Sequence, residues 1–299
     1  MTVLITGGGG FLGAWIIRRL AARGIDMRVF DRREDRGVVR AIAGDVADQL
    51  DWRTGDIAAG SDLSRAAEGC DFAIHLAALL TPDCAENPIL SAQVNLIGTL
   101  NVFEAAKSAG MRGVAYASSA GVFGPDDGAV PYPTTQYGAF KLACEGSARA
   151  YWADARISSV GFRPAIVYGP GRETGQTAGP TLACRAATVG QSYTIGYSGR
   201  ADMIYVDDVA AVFEAAATRS FEGAHAFSLV GEVADVSEIA AGIRHHVPNA
   251  VIDWCGPPLS LHPVIAPSPI GAVLGELPHT PLIDGLGRTV AFYQSGAVT

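Results

Sequence analysis

The sequence predicts an α/β protein: a doubly wound parallel sheet with a smaller, discontinuous C-terminal region attached. Three observations predict it. Short, nearly unbroken apolar segments alternate with helix-patterned ones through the first 168 residues. Strands that are apolar all round need helices on both faces of their sheet. A glycine-rich turn, Thr6-Gly7-Gly8-Gly9-Gly10-Phe11-Leu12-Gly13, joins the first strand to the first helix. Beyond Tyr168-Gly169-Pro170-Gly171 the order loosens into segments rich in glycine, proline and loop signals.

The apolar run 3–6 reads as a strand, 11–23 as a helix and 27–30 as a second strand closing on Asp31. Parallel strands this close in sequence need the crossover helix between them. The alternation continues with a strand at 51–54, a helix near 63–67, a strand at 71–77 and a helix over 88–109. A strand at 113–117, a helix over 136–153 and a strand at 158–166 complete the series. Residues 204–218 read as a strand end and a helix that rejoin the main sheet. The expected division is therefore 1–168 plus about 204–221 for a dinucleotide-binding domain, and about 169–203 plus 222–299 for a substrate-binding region.

Composition narrows the function. The chain has 299 residues, 49% of them hydrophobic and 17% charged, which is enough for a sizeable core. A net charge of −8 without a Lys/Arg-rich run argues against nucleic acid and anionic membranes as partners. No apolar run reaches the ~18 residues of a spanning helix, and no basic segment with an apolar stretch precedes the first strand, so the expected location is cytoplasmic. Cys70, Cys84, Cys144, Cys184 and Cys255 are scattered without a C-x-x-C pair, as reduced packing thiols are. The six histidines show no spacing with Cys or carboxylates that assembles a metal site, so no metal is expected.

The glycine turn follows a strand and opens a helix, the context that gives such a pattern meaning. Gly7 and Gly10 let the backbone approach a pyrophosphate, Gly13 permits close packing, and the free N–H groups of Phe11 and Leu12 at the helix start face the anion. Asp31 ends the second strand, where a carboxylate accepts from both ribose hydroxyls and repels a 2′-phosphate. NAD is therefore expected over NADP, although Arg32 and Arg33 are the guanidinium groups that an NADP phosphate would use. Asp56 and Ile57, after the third strand, are in place to frame the adenine.

Tyr137-Gly138-Ala139-Phe140-Lys141 sets a phenol and an ammonium on one helical face, where the cation favours the phenolate. The segment Tyr116-Ala117-Ser118-Ser119-Ala120-Gly121-Val122-Phe123-Gly124 follows a strand, so its hydroxyls belong at the carboxyl edge of the sheet, where ligands bind. With these residues in hand, the chain resembles the extended short-chain dehydrogenase/reductases of the NAD-dependent epimerase/dehydratase family. The resemblance rests on TGGGGFLG, Asp31, Asp56-Ile57, His75-Leu76-Ala77-Ala78, Asn95 in VNLIGTLNV, SSAGVFG, YGAFK, FRPAIVYGPG and MIYVDDVA. It implies a Rossmann-type fold, with Tyr137 as general acid/base, Lys141 on the nicotinamide ribose and Ser119 donating to the substrate oxygen; Ser118 is the runner-up. It also implies that Leu76, Ala77, Ala78 and Pro164 line the cofactor cleft, that Asn95 steadies the helix beside Tyr137, and that helices 88–109 and 136–153 pair across the two-fold axis of a homodimer.

Departures from the family pattern narrow the substrate. Members acting on nucleotide sugars carry Asn before the VYG-like strand end and Arg directly before the Asp of RDFIYV, both reaching the diphosphate. Here those places hold Ile166 and Ala201, and apolar groups replace neither contact. Arg172 and Arg200 are the candidates to compensate. Ala120-Gly121 stand where sugar dehydratases carry an acidic pair, which disfavours dehydration and leaves Gly121 as a substrate-side residue. The polar loop 171–177, with Tyr193, Tyr197 and Arg200, reads as the rim of a site for a small polyol or sugar acid. The leading expectation is an NAD-dependent oxidoreductase acting on a carbohydrate-like secondary alcohol, with a nucleotide-sugar epimerase and a non-catalytic nicotinamide sensor as alternatives.

Overall fold

The computed structural model describes residues 1–296. Six strands follow the alternation in order: β1 (Thr2–Thr6), β2 (Asp26–Asp31), β3 (Asp51–Thr54), β4 (Phe72–His75), β5 (Val114–Ala117) and β6 (Ser159–Pro164). They are followed by β7 (Ile166–Tyr168), β8 (Tyr193–Ile195), β9 (Arg200–Tyr205), β10 (Ala224–Leu229), β11 (Glu232–Asp235) and β12 (Ile252–Trp254). The main sheet is seven-stranded, in the order β10-β6-β5-β4-β1-β2-β3, with every neighbouring pair parallel. The strand order reverses between β1 and β4, and in such sheets the crevice at that point is where ligands bind.

The helices are α1 (Phe11–Ala22), α2 (Gly37–Ala43), α3 (Val46–Gln49), α4 (Gly60–Ala67), α5 (Thr81–Glu86), α6 (Pro88–Ala92), α7 (Gly98–Ala109) and α8 (Gln136–Ala155). The series closes with α9 (Gly179–Thr188), α10 (Val206–Thr218), α11 (Val236–His246), α12 (Gly271–Leu274) and α13 (Leu282–Gln294). Alternation along β1 shows how two cores arise from one strand. Val3 and Ile5 pack with Ile16 of α1 and Phe213 of α10, whereas Leu4 packs on the other face with Leu63 of α4 and Phe103 of α7. Arg19 of α1 ties the first layer together through Asp207 at 2.7 Å and Glu214 at 2.9 Å.

Two expectations about chain path are corrected. Strand 200–205 does not rejoin the main sheet: β9 lies between β7 and β11 in a separate three-stranded sheet, and only α10 returns to pack on α1. The seventh main-sheet strand is instead β10, inside the segment assigned to the smaller region. The helix expected over 88–109 is continuous in path but contains a π-helical turn at Gln93–Ile97; such turns concentrate at functional sites. No helix among the described residues is long and apolar enough to cross a membrane.

Candidate active site

A cavity of about 540 Å³ opens at the carboxyl edge of the sheet, and the glycine turn and the Tyr-Lys pair both line it. The turn's geometry explains its glycines. Gly7 has φ 70°, and a Cβ there would lie 2.7 Å from the Ala77 nitrogen; a Cβ on Gly13 would lie 2.6 Å from the Gly8 carbonyl oxygen. Gly10 caps α1 with no side-chain hydrogen bond, so the first-turn amides of Phe11 and Leu12 stay available beside the cavity. A turn too tight for a Cβ at Gly7 or Gly13, ending in an uncapped helix N-terminus beside the cavity, fits a dinucleotide pyrophosphate.

Asp31 ends β2 and accepts from the Gly9 N–H at 3.2 Å and the Arg32 N–H at 2.7 Å. Arg32 is exposed beside it. Asp56 accepts from the Ala58 N–H at 2.9 Å and so caps its own turn. Ile57 is 7% exposed and packs with α7. Leu76, Ala78 and Pro164 line the cavity; Ala77 meets Gly7 through its backbone.

At the other end, α8 starts at Thr135, whose Oγ1 accepts the Gly138 N–H at 3.1 Å. That start sets Tyr137 and Lys141 one turn apart. Lys141 is 3% exposed. Its ammonium donates to the Ala117 carbonyl at 2.7 Å and lies 5.5 Å from the centre of the Tyr137 ring. Ser119 accepts the Gly121 N–H at 3.0 Å and borders the cavity with Gly121. Ser118 is committed elsewhere: its hydroxyl donates to Glu145 at 2.6 Å. Of the two serines, Ser119 therefore keeps its hydroxyl proton for a ligand.

Glu145 and its partner Arg163 were missed in the sequence. The available signal was spacing, since Glu145 continues the helical face of Tyr137 and Lys141 by one more turn. The face of α8 thus holds two consecutive residues at the end of β5, Lys141 holding Ala117 and Glu145 holding Ser118, while Tyr137 and the next residue, Ser119, both line the cavity.

A second buried network supports the cofactor wall. Thr6 donates to His75 Nδ1 at 2.7 Å, His75 Nε2 lies 3.0 Å from Thr99 Oγ1, and Thr99 donates to the Asn95 carbonyl at 2.6 Å. Burial, aided by the Lys141 charge, pushes the His75 pKa down to about 3, so the ring is neutral. Asn95 is 1% exposed and does not line the cavity; its carbonyl accepts from the Cys144 thiol of α8 at 3.3 Å. Its side chain instead clamps Leu79 twice, accepting from the backbone N–H at 2.8 Å and donating to the carbonyl at 2.9 Å. It fixes the loop that carries Leu76 and Ala78.

Arg172 borders the cavity and donates to Thr177 at 2.8 Å. Arg200 does not. It is exposed and borders a small adjoining gap of about 10 Å³ with Ala201, on the far side of Ile166, Leu259 and Leu261, which line both spaces.

The model of the NAD dependent epimerase/dehydratase family matches residues 3–229. The chain belongs to the NAD-dependent epimerase/dehydratase family. It is 27% identical to the UDP-glucose 4-epimerase of Mycolicibacterium smegmatis over 99% of both chains. It is 31% identical to the 2-alkyl-3-oxoalkanoate reductase of Stenotrophomonas maltophilia, over 70% of this chain and 63% of that one. Among solved structures, the UDP-glucose 4-epimerase of Thermus thermophilus, in complex with NAD, superposes with a TM-score of 0.84 at 26% identity and 100% coverage of both chains. The family is NAD-dependent, and the relatives of this chain include an epimerase and a reductase.

Proposed function

We propose that this member of the family uses NAD to oxidise a secondary alcohol of a carbohydrate-like substrate to a ketone. The observation that carries the reading is the convergence of Ser119, Tyr137 and the buried Lys141 in one cavity with the uncapped start of α1. When bound, NAD supplies a hydride acceptor at its nicotinamide ring. Phe11 and Leu12 hold its pyrophosphate through backbone amides, Asp31 accepts from its adenosine ribose, and Lys141 holds its nicotinamide ribose. Ser119 hydrogen-bonds the substrate oxygen while Tyr137 takes the hydroxyl proton. The carboxylate at Asp31 favours NAD over NADP.

Two fates of the hydride divide the reading. In an epimerase it returns to the opposite face of the ketone, and the end-to-end similarity to UDP-glucose 4-epimerases favours that outcome. In a net oxidoreductase it leaves on the cofactor, and a different observation favours a substrate without a nucleotide. Ile166 and Ala201, at the places where nucleotide-sugar enzymes carry diphosphate ligands, are 4% and 2% exposed. Ile166 lines the main cavity together with Leu259 and Leu261, and Ala201 borders a small gap beside it; neither side chain offers a charged or hydrogen-bonding group to a diphosphate. We prefer the second reading on the side-chain chemistry of these two positions alone.

The test is a screen of sugars, sugar acids and polyols with NAD for absorbance of the reduced nicotinamide, run beside UDP-sugars assayed for isomer interconversion. NAD reduction by a free carbohydrate is expected; UDP-sugar interconversion without it overturns the preference. In the same reading the sheet and α10 form the dinucleotide-binding domain, with the remaining C-terminal segments binding substrate. The enzyme is a cytoplasmic homodimer, for which the scattered reduced thiols and the apolar surface of 88–97 are the support.

A further inference from the structure

Arg172 is a cation without an anion. Its Nη2 donates to Thr177 at 2.8 Å and its guanidinium lies 5.8 Å from the centre of the Phe11 ring. Its Nε is enclosed and has no hydrogen-bond partner. Among the described residues no carboxylate comes within ion-pair distance of it; the adjacent Glu173, which also lines the cavity, pairs with Arg185 through Oε2, and its Oε1 is enclosed without a partner. The titratable groups facing Arg172 are the phenols of Tyr137 and Tyr197, and burial holds its pKa below the ordinary arginine value despite them. The Tyr197 hydroxyl is likewise buried without a partner.

Desolvating a guanidinium without an opposing charge is unfavourable, and folded proteins offset it by pairing. Arg172 is half-buried at the cavity wall, where a ligand that displaces solvent supplies the pairing group. Two oxyanions can enter this cavity: the pyrophosphate of the cofactor and an acidic group on the substrate. The pyrophosphate already has the amides that start α1. Arg172 instead lies in the field of Tyr137, the group that takes the substrate's proton. Among the described residues the only other cation lining the cavity is Lys141, whose ammonium is bound to Ala117. A planar guanidinium matches either oxyanion in a two-point contact, so it is the amides already facing the pyrophosphate that leave Arg172 for the substrate.

We propose that Arg172 binds a carboxylate of the substrate, so that the alcohol facing Tyr137 and Ser119 belongs to a polyhydroxy acid. This rests on the hydride-transfer reading above. In the step it implies, the carbinol C–H bond breaks and its hydride reduces NAD, while the hydroxyl proton passes to Tyr137. The alcohol is thereby oxidised to a keto acid, with no further reactant. Thr177, which holds Nη2, is a positioning residue in this scheme.

The experiment compares the wild-type enzyme with Arg172→Met and Arg172→Lys, each checked for an unchanged unfolding temperature. Gluconate, galactonate and threonate are set against the polyols of matching chain length. Calorimetric titrations of NAD alone, and of each acid into the NAD complex, accompany the turnover assays. In the wild type the acids are expected to exceed the polyols in kcat/KM. In Arg172→Met that ratio falls by about 10- to 100-fold, the loss of a hydrogen-bonded charge pair, and acid binding weakens in parallel with the NAD affinity kept. Arg172→Lys recovers part of the ratio.

The proposal is overturned if Arg172→Met weakens NAD binding and leaves the acid-to-polyol ratio intact, which assigns the cation to the pyrophosphate. It is also overturned if polyols bind and react as well as acids in the wild type. Acids that bind through Arg172 without reducing NAD would leave the carboxylate site standing and remove the redox reading instead.

Discussion

Arg163 of β6 and Glu145 of α8 form a buried two-point ion pair beneath the active-site serines, with Nε to Oε1 at 2.7 Å and Nη2 to Oε2 at 2.5 Å. The glutamate side chain is fully enclosed and the arginine 14% exposed. Ser118 donates to the same carboxylate. The pair therefore links the strand that carries Pro164 to the loop that carries Ser119, through the helix that carries Tyr137.

Removing one partner leaves a buried charge unpaired. Arg163→Met is expected to lower stability by about 3–5 kcal/mol, while the double variant Arg163→Met with Glu145→Met recovers most of it. Urea unfolding at constant m-value reads both. If the single variant costs no more than the double one, the pair is not holding the site together.

Two buried groups give the stability a pH signature of opposite signs. His75 titrates at about 3 in the fold against an ordinary 6.5. Its lowered pKa contributes stability that is full above 6.5 and is lost as pH falls toward 3. Burial raises the Asp202 carboxyl from 3.8 to about 6, which favours the fold progressively as pH falls through 6 toward 3.8. Between pH 7 and pH 5, His75→Gln is expected to flatten the fall in unfolding temperature and Asp202→Asn to steepen it, each by about 2–4 °C per kcal/mol of altered stability. Thermal scans at the two pH values check the signs; parallel shifts in both variants would contradict the assignment.

Gly7→Ala tests the cradle. Its Cβ meets the Ala77 backbone at 2.7 Å with φ at 70°, so either the turn or the Leu76–Ala78 wall must shift. NAD affinity is expected to fall at least about tenfold, with a stability loss of about 1–3 kcal/mol from the backbone strain. Calorimetric titration with NAD measures it, and an unchanged Kd would mean that the turn does not hold the cofactor.

Ile89, Leu90 and Ile97 are 74%, 46% and 43% exposed along the segment before α7. Apolar side chains grouped in this way are the signature of a covered face. A dimer is expected by light scattering, and Ile89→Asp is expected to yield a monomer. A wild-type monomer at working concentration would contradict the homodimer.

What was legible in the sequence was local. The glycine turn, the uncapped helix start and the Tyr137-Lys141 face depend on residues within a few positions of each other, and chain order alone determined that strands 3–6 and 113–117 end at one edge. What was not legible was long-range. The apolar run at 204–218 looks like any buried strand and helix, so nothing local says that β9 pairs with β7 and β11. The partly exposed β10, with His225 and Ser228 in it, gives a weaker strand signal than its place in the main sheet warrants. Glu145 and Arg163 read as ordinary polar residues until the fold brings them together. Arg172 and Arg200 are equivalent as letters, and only the path of loop 171–177 turns one toward the cavity and leaves the other outside it.

The central claim is that the Tyr137 hydroxyl, beside the Lys141 ammonium, moves the proton of the reacting alcohol. Steady-state turnover of Tyr137→Phe, measured with a substrate of the wild-type enzyme beside its NAD affinity, tests it most directly. The expected result is a fall in kcat of at least about a hundredfold, the contribution of a positioned acid/base, with NAD binding retained. Turnover equal to that of the wild type would contradict the account.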